Sequence, residues 1–331
     1  RELHARAARV LEREAGGHVT PIAGILSMHH AEAGHHERAW ELARLAGHRA
    51  KAEYANVEAA SQYRRALVAA RFIGADPSEV AEAWTDLGEV LELAGRFEEA
   101  RNAYAKALGL VRDDPVANAD LHLRRARTWM PSGGFTNAHR NLTAGRAVLG
   151  DALDDDTRRA IARLDSFRAA VHAASGDPMA TLDAAERAAE EAHAVGELDA
   201  LARAWTTLDW AIFMTTGSSE GQKGAEAVAL LERLGHLERA SDAMNNLGAY
   251  AYFEGRWDDA VEWYRRGVDT ATRAGSPVDA AFIAGNLGEL FVNRRQYDEA
   301  APHLEAAERS LVASGMESAL PLIRLQRARL A

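Results

Sequence analysis

The chain has 331 residues, 47% of them hydrophobic and 27% charged, with a net charge of −10 and no cysteine. This composition can bury a core and does not stay disordered. It excludes disulfides and Cys-ligated zinc, and its acidic balance excludes a phosphate-binding surface spread over the whole chain. No apolar run approaches the roughly 20 residues of a membrane span.

Ala, Leu, Glu and Arg recur and β-branched runs are almost absent, so the expected elements are helices. A soft prior of roughly 150 residues per domain suggests two domains, although a repeat array can run this long as one body. The start, Arg1-Glu2-Leu3-His4, has neither a signal-peptide core nor an initiator Met, which predicts a cytoplasmic segment cut from a longer protein.

Residues 1–73 show helical spacing, with Ala39-Trp40 and then Glu58-Ala59-Ala60 ahead of Tyr63-Arg64-Arg65-Ala66-Leu67. Ala39 and Ala59 lie 20 apart, which predicts three antiparallel helices of divergent repeats in place of clean pairs. His29, His30, His35, His36 and His48 crowd the same region. Adjacent helical residues point about 100° apart, so solvated or turn-packing histidines are expected, with adventitious metal binding as the alternative.

Over 77–114 one helix ends and another begins at Gly95-Arg96-Phe97-Glu98-Glu99-Ala100. The same order of small turn residue, aromatic and Ala returns at Gly255-Arg256-Trp257-Asp258-Asp259-Ala260 and at Arg295-Gln296-Tyr297-Asp298-Glu299-Ala300. Weaker copies are Gly34-His35-His36-Glu37-Arg38-Ala39, Gly133-Gly134-Phe135-Thr136-Asn137-Ala138 and Gly176-Asp177-Pro178. From Gly95 onward the turn spacings are 38, 43, 79 and 40 residues, which place one further copy near Thr216-Gly217. The unit is therefore two helices in about 40 residues.

Seven residues before each strong turn stands a Leu-Gly pair: Leu87-Gly88, Leu247-Gly248 and Leu287-Gly288. Gly there lets the second helix approach closely, the aromatic after the turn fills the gap, and small residues such as Ala107 and Gly267 sit where helices cross. Segments 116–196 keep only the turn, the crossing positions and the helix lengths. A further degenerate copy, 197–235, carries the Gly/Ser-rich run Thr215-Thr216-Gly217-Ser218-Ser219-Glu220-Gly221-Gln222-Lys223-Gly224, expected to be a loop or hinge over 215–224. Repeats at 236–275 and 277–314 follow, and 315–331 is expected to be a capping or truncated helix.

Together Trp84, Leu87, Gly88, Leu91, Gly95, Phe97, Ala100, Tyr104 and Ala107 resemble one tetratricopeptide repeat, and 244–267 and 284–307 match at nearly the same positions. The stretch from His36 into Ala100 also resembles the region following the ATPase in large bacterial ATPase/cyclase-type or LuxR-type signalling regulators. The resemblance implies an all-α fold, a right-handed superhelix of about eight antiparallel helix pairs.

It also implies that the first helix of each pair lines a concave groove. In the 81–114 repeat the groove positions are Glu82, Thr85, Glu89, Glu92 and Leu93, an acidic patch. The following repeats contribute Arg124, Arg127 and Met130, then Thr206, Trp210, Phe213 and Met214, then Asn245, Asn286, Glu289 and Asn293. Trp210, Phe213 and Met214 are either a binding hot spot or a stripe packed on the adjoining helix 221–234. The Lys/Asn clamp that holds a terminal carboxylate in chaperone-binding repeats is missing, because Thr85 and Glu89 stand where it would be.

No nucleotide-loop, dinucleotide, zinc-protease or nucleophile-elbow motif occurs, so an enzyme, a cofactor and a metal site are not expected. The acidic pairs Asp113-Asp114, Asp154-Asp155-Asp156 and Asp258-Asp259 stand at helix starts, where carboxylates cap free N–H groups. Arg124, Arg125, Arg127, Arg140, Arg146, Arg158 and Arg159 form the most basic stretch, either a solvated, acid-paired face or a site for an acidic partner. The expected function is a non-catalytic regulatory scaffold binding a protein or peptide, or other domains of its own parent chain. The alternative is a small-molecule or short-peptide sensor near Trp210, and self-association remains open.

Overall fold

The computed structural model describes residues 1–151, 154–219, 221–314, 316 and 320–330. Among the described residues there are seventeen α-helices and no strand. They fall into two compact units, Arg1–Ala160 and Ile161–Ala331, with the boundary inside one helix.

The first unit holds α1 (Glu2–Glu14), α2 (Ala23–Ala33), α3 (His36–Ala52), α4 (Asn56–Ile73), α5 (Pro77–Leu93), α6 (Phe97–Leu108), α7 (Pro115–Arg127) and α8 (Phe135–Leu149). After α9 (Asp155–Ala174), which contains the boundary, come α10 (Pro178–Ala194), α11 (Leu198–Thr216), α12 (Gln222–Arg233), α13 (Leu237–Phe253), α14 (Trp257–Arg273), α15 (Pro277–Asn293), α16 (Tyr297–Ala313) and α17 (Leu320–Ala328). Within each unit successive helices pack against one another as hairpins, with α17 laid against α16.

Helix starts follow the sequence chemistry. Asp76, Asp114 and Asp177 each cap a helix whose first residue is Pro, accepting the N–H of Ser78, Ala117 and Ala180. Asp154 does the same for Thr157 without a proline. Proline loses nothing there, since its missing N–H would have had no intrahelical partner.

The turn inside each pair needs one residue with left-handed backbone. Gly95, Gly133, Gly176, Gly217 and Gly255 supply it at positive φ, but so do Tyr54 at 58° and Arg295 at 60°. The N–H that follows each of Tyr54, Gly95, Gly255 and Arg295 bonds back to the carbonyl five residues earlier, as Arg96 does to Leu91 at 2.8 Å. This closes the first helix of the pair and points the second back along it.

Close packing between the two helices rests on a glycine in the first. A methyl group at Gly88 would lie 2.4 Å from the Tyr104 ring, one at Gly248 2.6 Å from Tyr264, and one at Gly47 2.8 Å from Tyr63. Each tyrosine stands sixteen residues after its glycine. Tyr63, Tyr104, Leu87 and Leu91 form the core of the first unit, and Met244, Leu247, Leu287, Leu290 and Leu304 that of the second.

This corrects the reading of residues 1–73 as three helices. They form four, and α3/α4 is a clean pair built on Gly47, Tyr54 and Tyr63. Gly34 makes the turn between α2 and α3, ahead of that pair. The expected 215–224 loop is also shorter: α11 runs to Thr216 and α12 starts at Gln222. Within it Ser218 and Ser219 donate to the Glu254 carboxylate, tying the segment to α13, while Glu220 lies outside the described residues.

Candidate partner-binding faces

In the first unit the faces of α3, α5 and α7 meet through charge. Arg44 on α3 reaches Glu79 at 3.0 Å and Glu82 at 2.6 Å on α5. Lys51 reaches Asp86 at 2.9 Å and Glu89 at 2.8 Å. From the other side Arg124 lies 3.6 Å from Glu89, and Arg127 3.2 Å from Glu92, which also accepts the Tyr104 hydroxyl at 2.9 Å. Burial pushes the Glu89 carboxyl up, but Lys51, then Arg124 and Arg127, outweigh it and hold the group below the usual range.

Glu82, Glu89 and Glu92 are thus rungs of a cross-repeat ion-pair ladder, and the acids carry little unpaired charge toward a partner. Thr85 donates its hydroxyl to the Ala81 carbonyl. Met130 is half-buried in a short 3-10 turn, while Arg127 remains exposed. Arg44 and Lys51, which complete the ladder, were not among the expected residues.

The second unit presents a different face on α11, α13 and α15. Asn286 donates to the Asn245 side-chain carbonyl at 2.8 Å, and Asn293 donates to the Tyr252 hydroxyl at 2.7 Å. Arg329, just after α17, holds the Asn293 carbonyl at 2.8 Å. Glu289 is half-buried on the same helix.

Beside this polar row lie aromatics. Phe213 stacks on Tyr250 at 4.8 Å between ring centres and sits 6.0 Å from Phe253, which meets Tyr252 edge-on at 5.2 Å. Phe253 is 71% exposed and Met214 53%, whereas Trp210 and Phe213 are half-buried against the core. Phe213 stacks on Tyr250 of α13, and Trp210 and Phe213 pack against a core that includes Ala227, Val228, Leu230 and Leu231 of α12. Trp210 is brought to the same unit but packs against core residues, while Met214 faces solvent.

The histidine-rich N-terminus is internally paired. His4 and His29 meet at 2.9 Å between Nδ1 atoms, and buried His30 contacts His35 at 3.2 Å and Glu12 at 3.3 Å. Burial holds the His30 imidazole below its ordinary range against the pull of Glu12.

Hairpins stacked in this way define an α-helical repeat protein. The tetratricopeptide-repeat profile matches residues 81–114 and 239–311, so the chain carries tetratricopeptide repeats over those segments. No curated protein matches the sequence.

Among solved structures, the apo form of RapI aligns with a TM-score of 0.63 at 12% identity, over 83% of this chain and 97% of that one. A signal-transduction ATPase with numerous domains and a tetratricopeptide repeat sensor, from Pyrococcus horikoshii, aligns at 0.60 and 14% identity over 99% of this chain, which spans 48% of that protein. The Rap conjugation gene regulator of plasmid pLS20, in complex with the Phr* peptide, aligns at 0.59 and 15% identity over 91% and 79%. At these identities the likeness is one of fold. Among the described residues no helix is long and apolar enough to cross a membrane.

Proposed function

We infer that the chain is a non-catalytic interaction module of a signalling or transcription-regulatory protein, and that α11, α13 and α15 bind an extended peptide segment. The observation that carries this is the Asn245–Asn286 pair. Each amide has a donor side and an acceptor side, and the pair uses only the Asn286 donor and the Asn245 acceptor. The Asn245 NH2 and the Asn286 carbonyl are left to meet a peptide backbone's C=O and N–H, which is sequence-tolerant recognition of the main chain.

Exposed Phe253 and Met214 beside the row supply apolar area for the peptide's side chains. A solved structural neighbour held with a peptide supports the same reading, and the absence of cysteine fits a cytoplasmic setting.

The test is a display library of unstructured peptides selected against the full chain, with binders re-measured on Asn245→Ala/Asn286→Ala. Selected peptides should lose tenfold or more in affinity, about 1.4 kcal/mol or above. A library that yields no binder, or binders indifferent to the double substitution, overturns the proposal.

A further inference from the structure

Arg124 and Arg125 are consecutive on α7 and so point about 100° apart. Arg124 turns to the carboxylates of α5. Arg125 is instead within electrostatic reach of Arg101 on α6, whose charge acts on it. Arg101 stacks over the Trp129 ring with its guanidinium carbon 3.9 Å from the ring centre, and donates to the Thr128 carbonyl at 3.0 Å.

Across the same unit Arg44, Arg64, Arg96, Arg124 and Arg127 each have an acid within ion-pair distance. Neither Arg101 nor Arg125 has one among the described residues. The Arg125 Nε–H and the Trp129 indole N–H are both buried with no hydrogen-bond partner, as is His122 Nδ1. Burial, followed by the Arg101 charge, lowers the Arg125 guanidinium, and burial also lowers His122, which lies against Asn141. Burial thus favours the neutral form of His122, and the two guanidiniums of Arg101 and Arg125 carry the cluster's charge, with donors left unused.

We propose that Arg101, Arg125 and Trp129 form a binding site for a phosphate monoester dianion. The choice among anions follows from charge: a phosphate monoester carries close to two negative charges at neutral pH, which matches two guanidiniums, whereas a carboxylate would neutralise only one. Guanidiniums present planar paired donors suited to phosphate oxygens, and the indole N–H adds a third. The site lies on the α6 side of α7, apart from the faces assigned to peptide binding, and it stands independently of that reading.

The experiment is calorimetric titration of the full chain with inorganic phosphate at fixed ionic strength, alongside acetate. Phosphate should bind at one site, and acetate at least tenfold more weakly. Arg125→Gln and Arg101→Gln should each weaken phosphate about tenfold or more. Arg125→Lys, which keeps the charge and loses the planar fork, should fall between the wild type and Gln, showing that folding is not what was lost. Arg140→Gln, on an exposed arginine that donates to Asn137, should change nothing.

A phosphoserine peptide binding more tightly than inorganic phosphate would assign the phosphate to a protein partner, and equal affinity to a small phosphorylated molecule. No phosphate binding, binding undiminished in both Gln variants, or acetate equal to phosphate would overturn the assignment.

Discussion

Gly88→Ala is the sharpest probe of how the repeats hold together. On an isolated helix the change gains about 1 kcal/mol in helix propensity. Here the new methyl would stand 2.4 Å from a ring carbon of Tyr104, a side chain with 0% exposure and its hydroxyl fixed to Glu92. A ring so enclosed cannot swing away, so the overpacking cost lies at the upper end of the usual range, about 3 kcal/mol. The net loss is about 2 kcal/mol. Tyr104→Ala alone should cost about 3–5 kcal/mol, but the two together should cost about 3 kcal/mol less than their sum, because the whole clash disappears with the ring while the gain in helix propensity stays. A chain of two compact units need not unfold in one step, so the assay is amide hydrogen exchange in α5 and α6, which reads local opening. A Gly88→Ala variant as stable as the wild type, or strictly additive effects, would refute the close-approach argument.

Tyr54 is 87% exposed and held at positive φ, where an L side chain costs about 1–2 kcal/mol. Tyr54→Gly should therefore stabilise the α3/α4 pair by about 1 kcal/mol, read as slower exchange there. Lys51→Ala leaves Asp86 and Glu89 facing each other across a broken rung and should destabilise the first unit by about 1 kcal/mol, an effect that shrinks in high salt. Asp209 is buried, and burial raises its carboxyl from 3.8 to about 6 although it accepts the Gly224 N–H. The folded state then binds this proton more tightly than the unfolded state, so the contribution is greatest below pH 4 and is lost as pH rises through 6. Asp209→Asn should accordingly gain stability relative to the wild type between pH 5 and pH 7, and melts at the two pH values check the sign.

Much of this was legible in the chain. The Gly-Arg-aromatic turns and the Leu-Gly pairs mark α5/α6, α13/α14 and α15/α16 because backbone geometry and helix contact leave those positions few choices. The α3/α4 pair was not legible from its turn, since the left-handed residue is Tyr54 where glycine was the signal sought. The sixteen-residue step from Gly47 to Tyr63, the same as from Gly88 to Tyr104, carries it.

The sites were read less well for a related reason. Glu82, Glu89 and Glu92 could be placed on a face, but whether they are free depends on Arg44, Lys51 and Arg127, each two helices away. Asn245, Asn286 and Asn293 were placed singly, and their pairing with one another and with Tyr252 is a matter of register between helices about forty residues apart. Trp210 and Phe213 could be read from the sequence either as a binding hot spot or as a stripe packed on the adjoining helix. The approach of α13, which brings Tyr250 against Phe213, half-buries the latter.

The most direct measurement of the central claim is hydrogen exchange of the full chain with and without a selected peptide. The account predicts new protection in α11, α13 and α15, centred on Asn245 and Asn286. Protection confined to α12, α14 and α16 would contradict it.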